Sequence, residues 1–220
     1  MKLGVLFSGG KDSTLACSIA MEYHEVKCLI SIRSENPESF MFHTPNTHLV
    51  EKQAEAMGLP IIVQATKGEK ESELEDLKKA IKSAKEKHSI EGVVTGAVES
   101  VYQATRIQKI CDELSLWCFN PLWQINQVEL LHNVVSKGFK AIITGVFAEP
   151  FTEDWLGKEI NAETIKELQK LQKTHKINPA GEGGEFETTV LNGPIFKKEL
   201  KVISSKKSYK NYSGVLEVQL

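Results

Sequence analysis

A chain of 220 residues is long enough for one domain of ordinary size or for two small ones. The formal net charge of −2 weighs against a protein that holds nucleic acid mainly through a broad basic surface, so no nucleic-acid partner is expected. The N-terminus shows no cleavage signal, and no apolar stretch is long enough to span a bilayer. The four cysteines show neither a Cys-x-x-Cys pair nor zinc spacing, which favours reduced, buried thiols in a cytoplasmic protein. No membrane partner is expected, because no stretch has the length needed to span a bilayer.

Short apolar runs alternate with segments of helical periodicity in the first half of the chain. Strands are predicted at residues 3–7, 26–32, 61–65, 93–96 and 117–119. Apolar residues recur at helical spacing after Ser13, over 50–57, over 74–84 and over 104–114. This alternation predicts an α/β domain whose parallel sheet is covered on both faces. Ligands of such sheets bind beyond the carboxyl ends of the strands, so we expect the loops after Phe7, Ile32 and Gly96 to matter.

The pattern changes after Pro121. Helices are predicted over 130–135, ended by Gly138, and over 165–171, capped by Asn161. Strands are predicted at 140–147, 188–191, 200–204 and 215–218. We therefore expect a first domain of residues 1–120 and a smaller α+β domain of residues 121–220 that closes over the first.

The segment Ser8–Ser13, with the sequence SGGKDS, lies between the first predicted strand and the first predicted helix, and we call it the phosphate loop. Gly9 and Gly10 let the backbone approach an anion and adopt positive φ angles. The amides at the start of the helix point at that anion, and the helix dipole favours its charge. The segment differs from the G-x-x-x-x-G-K-S/T loop of phosphate-loop NTPases, because it is shorter and its glycines precede the lysine.

Four side chains of the phosphate loop add to this chemistry. Ser8 and Ser13 can donate hydroxyl hydrogen bonds, and Lys11 adds a point charge. Asp12 would repel phosphate unless a metal ion stood between them, which makes it a candidate Mg²⁺ ligand. Lys11 and Asp12 are both expected at a solvent-open position. The alternative is an ordinary strand-to-helix turn that Asp12 or Ser13 caps.

The phosphate loop, placed after a first strand, resembles the pyrophosphate (PP) loop of the N-type ATP pyrophosphatases. That superfamily includes asparagine, GMP and NAD synthetases and tRNA-modifying enzymes. The resemblance implies a Rossmann-like (HUP-type) nucleotide-binding domain over residues 1–120. It also implies that the chain uses ATP and Mg²⁺, and that it splits ATP into AMP and pyrophosphate.

Three further segments narrow the resemblance: SENPESFMFHT at 34–44, GAVESVYQATR at 96–106 and GEGGEFET at 181–188. Together with the phosphate loop they resemble diphthine–ammonia ligase in its short archaeal-type form, in register to about Phe196. The chain departs from that pattern at 178–180, where a histidine often precedes the proline, and at 146–150, which is variable among relatives. The residues after Phe196 carry no motif that we can interpret.

The resemblance implies ATP-dependent amidation of diphthine, a modified histidine of elongation factor 2, to diphthamide through an acyl-adenylate. No glutaminase signature is visible, since the chain lacks an N-terminal cysteine nucleophile. Ammonium is therefore the simplest nitrogen donor. The second domain is expected to bind the acceptor, and a homodimer is left open.

The resemblance also carries site residues over to matching positions. The expected catalytic residues are Lys11, Asp12, Glu73, Tyr102, Arg106, Glu185 and Glu187. The expected nucleotide-binding residues are Phe7, Ser8, Gly9, Gly10, Lys11, Asp12, Ser13, Ile32, Gly96 and Gln103. The expected acceptor-binding residues are His43, Thr44, Glu182, Gly183, Gly184 and Glu185. The expected metal ligand is Asp12.

The residues themselves leave alternatives open. Tyr102, Gln103 and Arg106 are spaced to share one helix face directed at the ligands, or the Tyr–Arg pair is only a stack on a helix surface. Glu185 and Glu187 alternate in an extended segment, so both point the same way. They could hold Mg²⁺ or bind and deprotonate ammonium, or they are solvated acids of a glycine-rich turn.

Glu73 matches a family acid that could approach the acceptor, or it balances the dipole at a helix start. His43, with Thr44, could orient the acceptor or ATP, or it has only a structural role. Two other functions stay open. A PP-loop tRNA-modifying enzyme is disfavoured because a paired-cysteine relay and a basic RNA-binding extension are missing. A module that binds adenine nucleotides without turnover would not require Lys11, Asp12 and the glutamates of the segment GEGGEFET at 181–188.

Overall fold

The computed structural model of the chain describes residues 1–34, 46–67 and 72–220. These residues divide into two units. The first takes in residues 1–8, 12–34, 57–67 and 72–123, and the second takes in residues 9–11, 46–56 and 124–220. The first unit contains a five-stranded parallel sheet and the second a four-stranded antiparallel sheet. The predicted fold class, an α/β domain with a second α+β part, is confirmed.

The helices and strands are labelled in chain order. Up to residue 123 they are β1 (Lys2–Leu6), α1 (Lys11–Tyr23), β2 (Glu25–Ser34), α2 (Val50–Met57), β3 (Ile61–Thr66), α3 (Ser72–His88), β4 (Gly92–Val94), α4 (Val101–Glu113) and β5 (Trp117–Phe119). From residue 124 they are α5 (Gln127–Ser136), β6 (Lys140–Val146), α6 (Ala162–His175), β7 (Phe186–Asn192), β8 (Ser204–Lys210) and β9 (Ser213–Gln219). Short 3-10 helices lie at Thr47–Leu49 and Glu153–Trp155.

The sheet of the first unit has the strand order β3-β2-β1-β4-β5. Leu3 and Val5 of β1 and Val93 of β4 are fully buried, as expected for central strands of a parallel sheet. The chain runs outward from β1 to β3 and then returns to β4 on the other side of β1. The carboxyl ends of β1 and β4 therefore form the switch point of the sheet, where open α/β sheets bind ligands.

The sheet of the second unit is antiparallel, with the order β7-β6-β9-β8. Its core includes Leu130 and Leu131 of α5, Ile143 of β6 and Val190 of β7, all of which are fully buried. Strands β7 and β8 are the two edges of this sheet. The free edge of β7 presents backbone groups that must find partners elsewhere.

The predicted strand at 200–204 is wrong. The strand in this region is β8, which begins at Ser204 and pairs with β9. Its sequence, SSKKSYK, shows no apolar alternation, and every residue except Tyr209 is exposed. Hydrogen bonds to β9 hold this edge strand, so its sequence carries no strand signal of its own. Leu200 is buried, but Ile203 is 79% exposed, so the apolar run marks no buried strand face.

The other predicted strands and helices are confirmed, with ends that differ by a few residues. Gly58 and Gly138 follow α2 and α5 with φ angles of 71° and 77°, the left-handed conformation in which helices often end. Among the described helices, none has both the length and the apolar character needed to cross a membrane.

The four cysteines are free thiols, as predicted. Three of them are buried, whereas Cys118 is only partly buried. Burial raises the pKa of Cys17 to about 12 and that of Cys28 to about 11. Both therefore stay protonated at neutral pH and behave as small apolar core residues.

Helix α6 begins with a side-chain cap that the sequence predicted. The Asn161 Oδ1 atom accepts hydrogen bonds from the backbone N–H groups of Glu163, at 3.0 Å, and Thr164, at 2.9 Å. Asn161→Ala is expected to lower the free energy of unfolding by about 1 kcal/mol, because two amides of the first turn lose their acceptor. Asn161→Asp keeps an acceptor oxygen and should be close to wild type. Urea unfolding followed by circular dichroism measures both, and equal stabilities of the two variants would contradict the cap.

Candidate functional site

The phosphate loop begins where β1 ends. Phe7 is buried, and its backbone N–H donates to the carbonyl oxygen of Ile30 in β2 at 2.8 Å, which extends the parallel pairing by one residue. Helix α1 starts at Lys11, so Ser8–Ser13 joins a buried central strand directly to a helix N-terminus. Because β1 borders the switch point of its sheet, the loop lies where such sheets bind ligands.

Residues Gly9–Lys11 run along the free edge of β7. The carbonyl oxygen of Gly9 accepts a hydrogen bond from the Val190 N–H at 3.0 Å. The Lys11 N–H donates to the hydroxyl oxygen of Thr188 at 3.1 Å. The loop therefore supplies partners that this edge strand would otherwise lack.

The side chain of Gln53 in α2 reinforces the same contact. Its Nε2 donates to the carbonyl oxygens of Gly9, at 2.9 Å, and Val190, at 2.8 Å, and the residue is only 1% exposed. Gly9 has a φ of +81°, and a Cβ added there would lie 2.2 Å from the Gln53 Oε1 atom. Sequence reasoning missed Gln53, since a glutamine among the charged residues of α2 resembles a solvated position.

Lys11 does not lie at the solvent-open position that the sequence predicted. The residue is 4% exposed, and its Nζ atom lies 5.5 Å from the centre of the Phe186 ring. That distance is within the range of a cation–π interaction. Residues of β7 therefore contact both the backbone and the side chain of Lys11. Lys11 is thus part of the packing of the second unit.

The two loop serines contact each other. The hydroxyl oxygens of Ser8 and Ser13 lie 3.1 Å apart, and the Ser8 N–H donates to the Ser13 Oγ at 3.3 Å. Ser8 is exposed and Ser13 is buried. A hydroxyl accepts and donates at once, so this pair can close the loop and still offer a donor to an anion.

Asp12 fits a Mg²⁺ ion held together with phosphate. It is half-buried in the first turn of α1, and its carboxylate is the type of oxygen ligand that Mg²⁺ prefers. Among residues 1–34, 46–67 and 72–220, no group of three or more His, Cys, Asp or Glu side chains could hold a metal ion. A Mg²⁺ ion at Asp12 would therefore take its other ligands from phosphate and water, as is usual at phosphate sites.

Gly96, which follows β4, touches the start of α1. A Cβ at this position would lie 2.8 Å from the Ser13 backbone N and 2.9 Å from the Asp12 carbonyl carbon. Backbone atoms cannot swing aside as side-chain ends do, so only glycine fits without moving the loop. This contact gives a physical reason for the expected role of Gly96.

Tyr102 and Arg106 of α4 form the stacked pair that the sequence also allowed. The Arg106 Cζ atom lies 3.4 Å from the centre of the Tyr102 ring, and both residues are half-buried. The Gln103 N–H donates to the Ser100 hydroxyl, which caps the helix at 3.3 Å. The stack keeps the guanidinium fixed while it retains donors for an anion.

The carboxylate of Glu185 accepts hydrogen bonds from nearby residues of its own segment. Its Oε1 atom accepts from the Asn178 backbone N–H at 2.7 Å and from the Asn178 Nδ2 at 2.9 Å, and its Oε2 accepts from the Gly183 N–H at 2.8 Å. The residue is 8% exposed. Gly181 and Gly184 adopt φ angles of +80° and +81°, so the segment needs glycine at these turns. The carboxylate of Glu185 therefore shapes residues 178–187, which we call the acidic segment.

The remaining acids of this segment lie nearby in the chain. Glu182 and Glu187 are half-buried, whereas Gly183 and Gly184 are exposed. Alternation along β7 puts Phe186 and Thr188 on one face of the strand and Glu187 on the other.

The remaining expected site residues lie in α3, in β2 and outside the described residues. Glu73 is 1% exposed in the first turn of α3, and Ile32 is 6% exposed in β2. His43 and Thr44 lie outside the described residues, so their expected role as acceptor-binding residues stays a prediction.

The family models and the relatives found by sequence agree on one family. The family model described as "Diphthamide synthase N-terminal domain" matches residues 1–118, and "Diphthamide synthase C-terminal domain" matches residues 126–220. A mouse (Mus musculus) protein named "Diphthine--ammonia ligase" is 36% identical over 225 residues, covering 93% of this chain and 84% of the mouse protein. The human (Homo sapiens) protein of the same name is 34% identical over 227 residues, with the same coverage of 93% and 84%.

A solved structure gives a weaker likeness. It is titled as a predicted subunit of tRNA methyltransferase from Methanocaldococcus jannaschii, and it is 19% identical with a TM-score of 0.45. The alignment covers 91% of this chain and 100% of that one. We infer nothing about function from a likeness at this level.

Gly96→Ala should weaken ATP binding by about tenfold, because the new Cβ would push the start of α1 away and misplace one or two hydrogen bonds to phosphate. Isothermal titration calorimetry with ATP and Mg²⁺ measures the change. The control is Gly4→Ala in β1, where the added Cβ would meet the side-chain ends of Ile90 and Ile30 at 3.0 and 3.1 Å. These ends can shift, so this variant should bind ATP as wild type does. Equal affinities of the two variants would contradict the role of Gly96.

Glu185→Ala should lower the free energy of unfolding by about 2 kcal/mol, because Asn178 and Gly183 lose the acceptor of three hydrogen bonds. Glu185→Gln removes the same charge but keeps one acceptor oxygen, so its loss should be smaller. Urea unfolding measures both variants. A Glu185→Ala protein as stable as wild type would show that these bonds contribute nothing to the fold.

Proposed function

We propose that the chain, which belongs to the diphthine–ammonia ligase family, amidates diphthine on elongation factor 2 with ATP and ammonium. Membership makes the chain a ligase that forms a C–N bond. In the proposed reaction elongation factor 2 is the acceptor protein, ammonium is the nitrogen donor and an acyl-adenylate is the intermediate. The observation that supports it best is the phosphate loop at the end of β1, a strand that borders the switch point of a parallel sheet.

The proposed reaction has two steps. An oxygen of the diphthine carboxylate attacks the α phosphorus of ATP, the bond to the bridging oxygen breaks, and pyrophosphate leaves. Ammonium gives a proton to a base, and the resulting ammonia attacks the carbonyl carbon of the acyl-adenylate. AMP leaves with the former carboxylate oxygen, and a further proton is released. The products are the carboxamide, AMP and pyrophosphate.

The first step brings a carboxylate to a triphosphate, so its main obstacle is repulsion between anions. The amides of the phosphate loop and the N-terminus of α1 offset the charge of the β and γ phosphates. We assign Lys11 the same role. Asp12 would hold Mg²⁺, which supplies further positive charge when it is bound. Gly96 lets the loop keep the position that these contacts need.

The second step needs a base for ammonium. Glu185 already accepts three hydrogen bonds from its own segment, which suits a residue that shapes the segment. We therefore assign the proton transfer to Glu187 and the binding of the acceptor to the exposed backbone at Gly183 and Gly184. The Arg106 guanidinium, held against Tyr102, is the proposed partner of the acceptor carboxylate or the nucleotide.

The proposal predicts that the protein converts diphthine to its amide only when ATP, Mg²⁺ and ammonium are all present. Peptide mass spectrometry of elongation factor 2 detects the exchange of a hydroxyl for an amino group. Chromatography of the spent nucleotide should show AMP and pyrophosphate in proportion to amide formed. Glu187→Gln should slow amidation by about 10²-fold or more, because it removes a positioned base.

Two controls make the outcome specific. Elongation factor 2 that carries an unmodified histidine should yield neither amide nor AMP. ADP as the stoichiometric product would refute splitting between the α and β phosphates. Adenylation of a tRNA or a small metabolite, with diphthine left unchanged, would refute the acceptor.

A further inference from the structure

The hydrogen bonds around Gly9 form a closed set. The Gly9 carbonyl oxygen accepts from the Val190 N–H and from the Gln53 Nε2, and the same Gln53 Nε2 also donates to the Val190 carbonyl oxygen. The Lys11 N–H donates to the Thr188 hydroxyl. Residues 9–11 thus continue the hydrogen bonding of β7 as a short extra strand would. We call these four hydrogen bonds the loop clamp.

The hydrogen bonds of the loop clamp are shielded from solvent. Gln53 is 1% exposed and Thr188 is 3% exposed. Hydrogen bonds in such surroundings are strong, and leaving one of their groups without a partner is costly. The four hydrogen bonds therefore favour one orientation of residues 9–11 against β7.

The loop clamp also decides where the next amide points. In a planar trans peptide, the C=O of one residue and the N–H of the next point in opposite directions. The Gly9 carbonyl is fixed on β7, so the Gly10 N–H is directed away from β7. A glycine-rich loop that leads into a helix N-terminus is the kind of backbone that binds anions, provided that the loop is held in one form.

We infer that Thr188 and Gln53 are positioning residues that hold the phosphate loop in the form that binds ATP. The inference rests on the proposed function, and it assigns roles that sequence reasoning did not. Thr188 acts through the Lys11 amide, and Gln53 acts through the Gly9 carbonyl. Neither residue is assigned a contact with the nucleotide.

Thr188 offers a sharp test, because its two conservative variants differ in one group. Thr188→Val keeps the shape but removes the hydroxyl that accepts from Lys11, and Thr188→Ser keeps the hydroxyl. Thr188→Val should raise the KM for ATP about five- to tenfold, the loss expected when one buried hydrogen bond is removed. Thr188→Ser should restore the wild-type KM, and kcat at saturating ATP should change less than KM in both.

The matched control is the neighbouring residue Thr189. It is also 3% exposed, and its hydroxyl lies 3.0 Å from that of Thr144 and takes no part in the loop clamp. Thr189→Val removes one buried hydroxyl from the same strand, so thermal unfolding should show a comparable loss of stability. Its KM for ATP should equal that of wild type. A purely structural role of Thr188 would give the two valine variants the same KM.

The measurements use the full chain with diphthine-bearing elongation factor 2, ATP, Mg²⁺ and ammonium. Wild-type protein that binds no ATP in calorimetry would overturn the proposed function and this inference together. Wild-type activity with an unchanged KM in Thr188→Val would overturn the inference alone. If Thr188→Val yields no folded protein, Gln53→Met, which keeps the length but removes the Nε2 donor, takes its place. An unchanged KM in that variant would overturn the inference too.

Discussion

The carbonyl oxygen of Gly9 is the point on which the phosphate loop depends. It accepts two hydrogen bonds, from Val190 and Gln53, while the residue holds a φ of +81°. Residues with a side chain rarely adopt this backbone conformation, and a Cβ at this position would collide with the Gln53 side chain. The planar peptide between Gly9 and Gly10 is therefore held at both of these hydrogen bonds, which fixes its orientation against β7.

Burial of Lys11 changes what its charge can do. A lysine at the surface is a mobile, hydrated point charge, whereas this one is 4% exposed beside the Phe186 ring, and its N–H is bound to Thr188. In the proposed reaction, a desolvated cation would attract phosphate more strongly, because less water screens its charge. The same burial means that removing Lys11 disturbs the packing of β7, so lost activity in such a variant has a structural part as well as an electrostatic one.

Hydrophobic periodicity predicted most of the fold, because buried strands and amphipathic helices each have a characteristic spacing of apolar residues in the local sequence. It failed at β8, where hydrogen bonds to β9 hold seven exposed or half-exposed residues, and the apolar run 200–204 misled it. The phosphate loop could also be recognised from the sequence, because its glycines, lysine and aspartate are consecutive. The role of Gln53 could not be recognised, since its hydrogen-bond partners are 44 and 137 positions away in the chain. Thr188 lay inside a recognised motif, but its contact with Lys11 spans 177 positions.

The acidic segment and strand β7 show why one motif can carry two kinds of function. Glu185 closes the segment on itself through Asn178 and Gly183, and β7 then begins at Phe186 and carries Thr188 to the phosphate loop. The residues that shape the proposed acceptor side and those that fix the loop are therefore neighbours on one continuous piece of backbone. Lost activity after a change in this motif thus has two physical origins, and only variants that differ in a single hydroxyl or amide separate them.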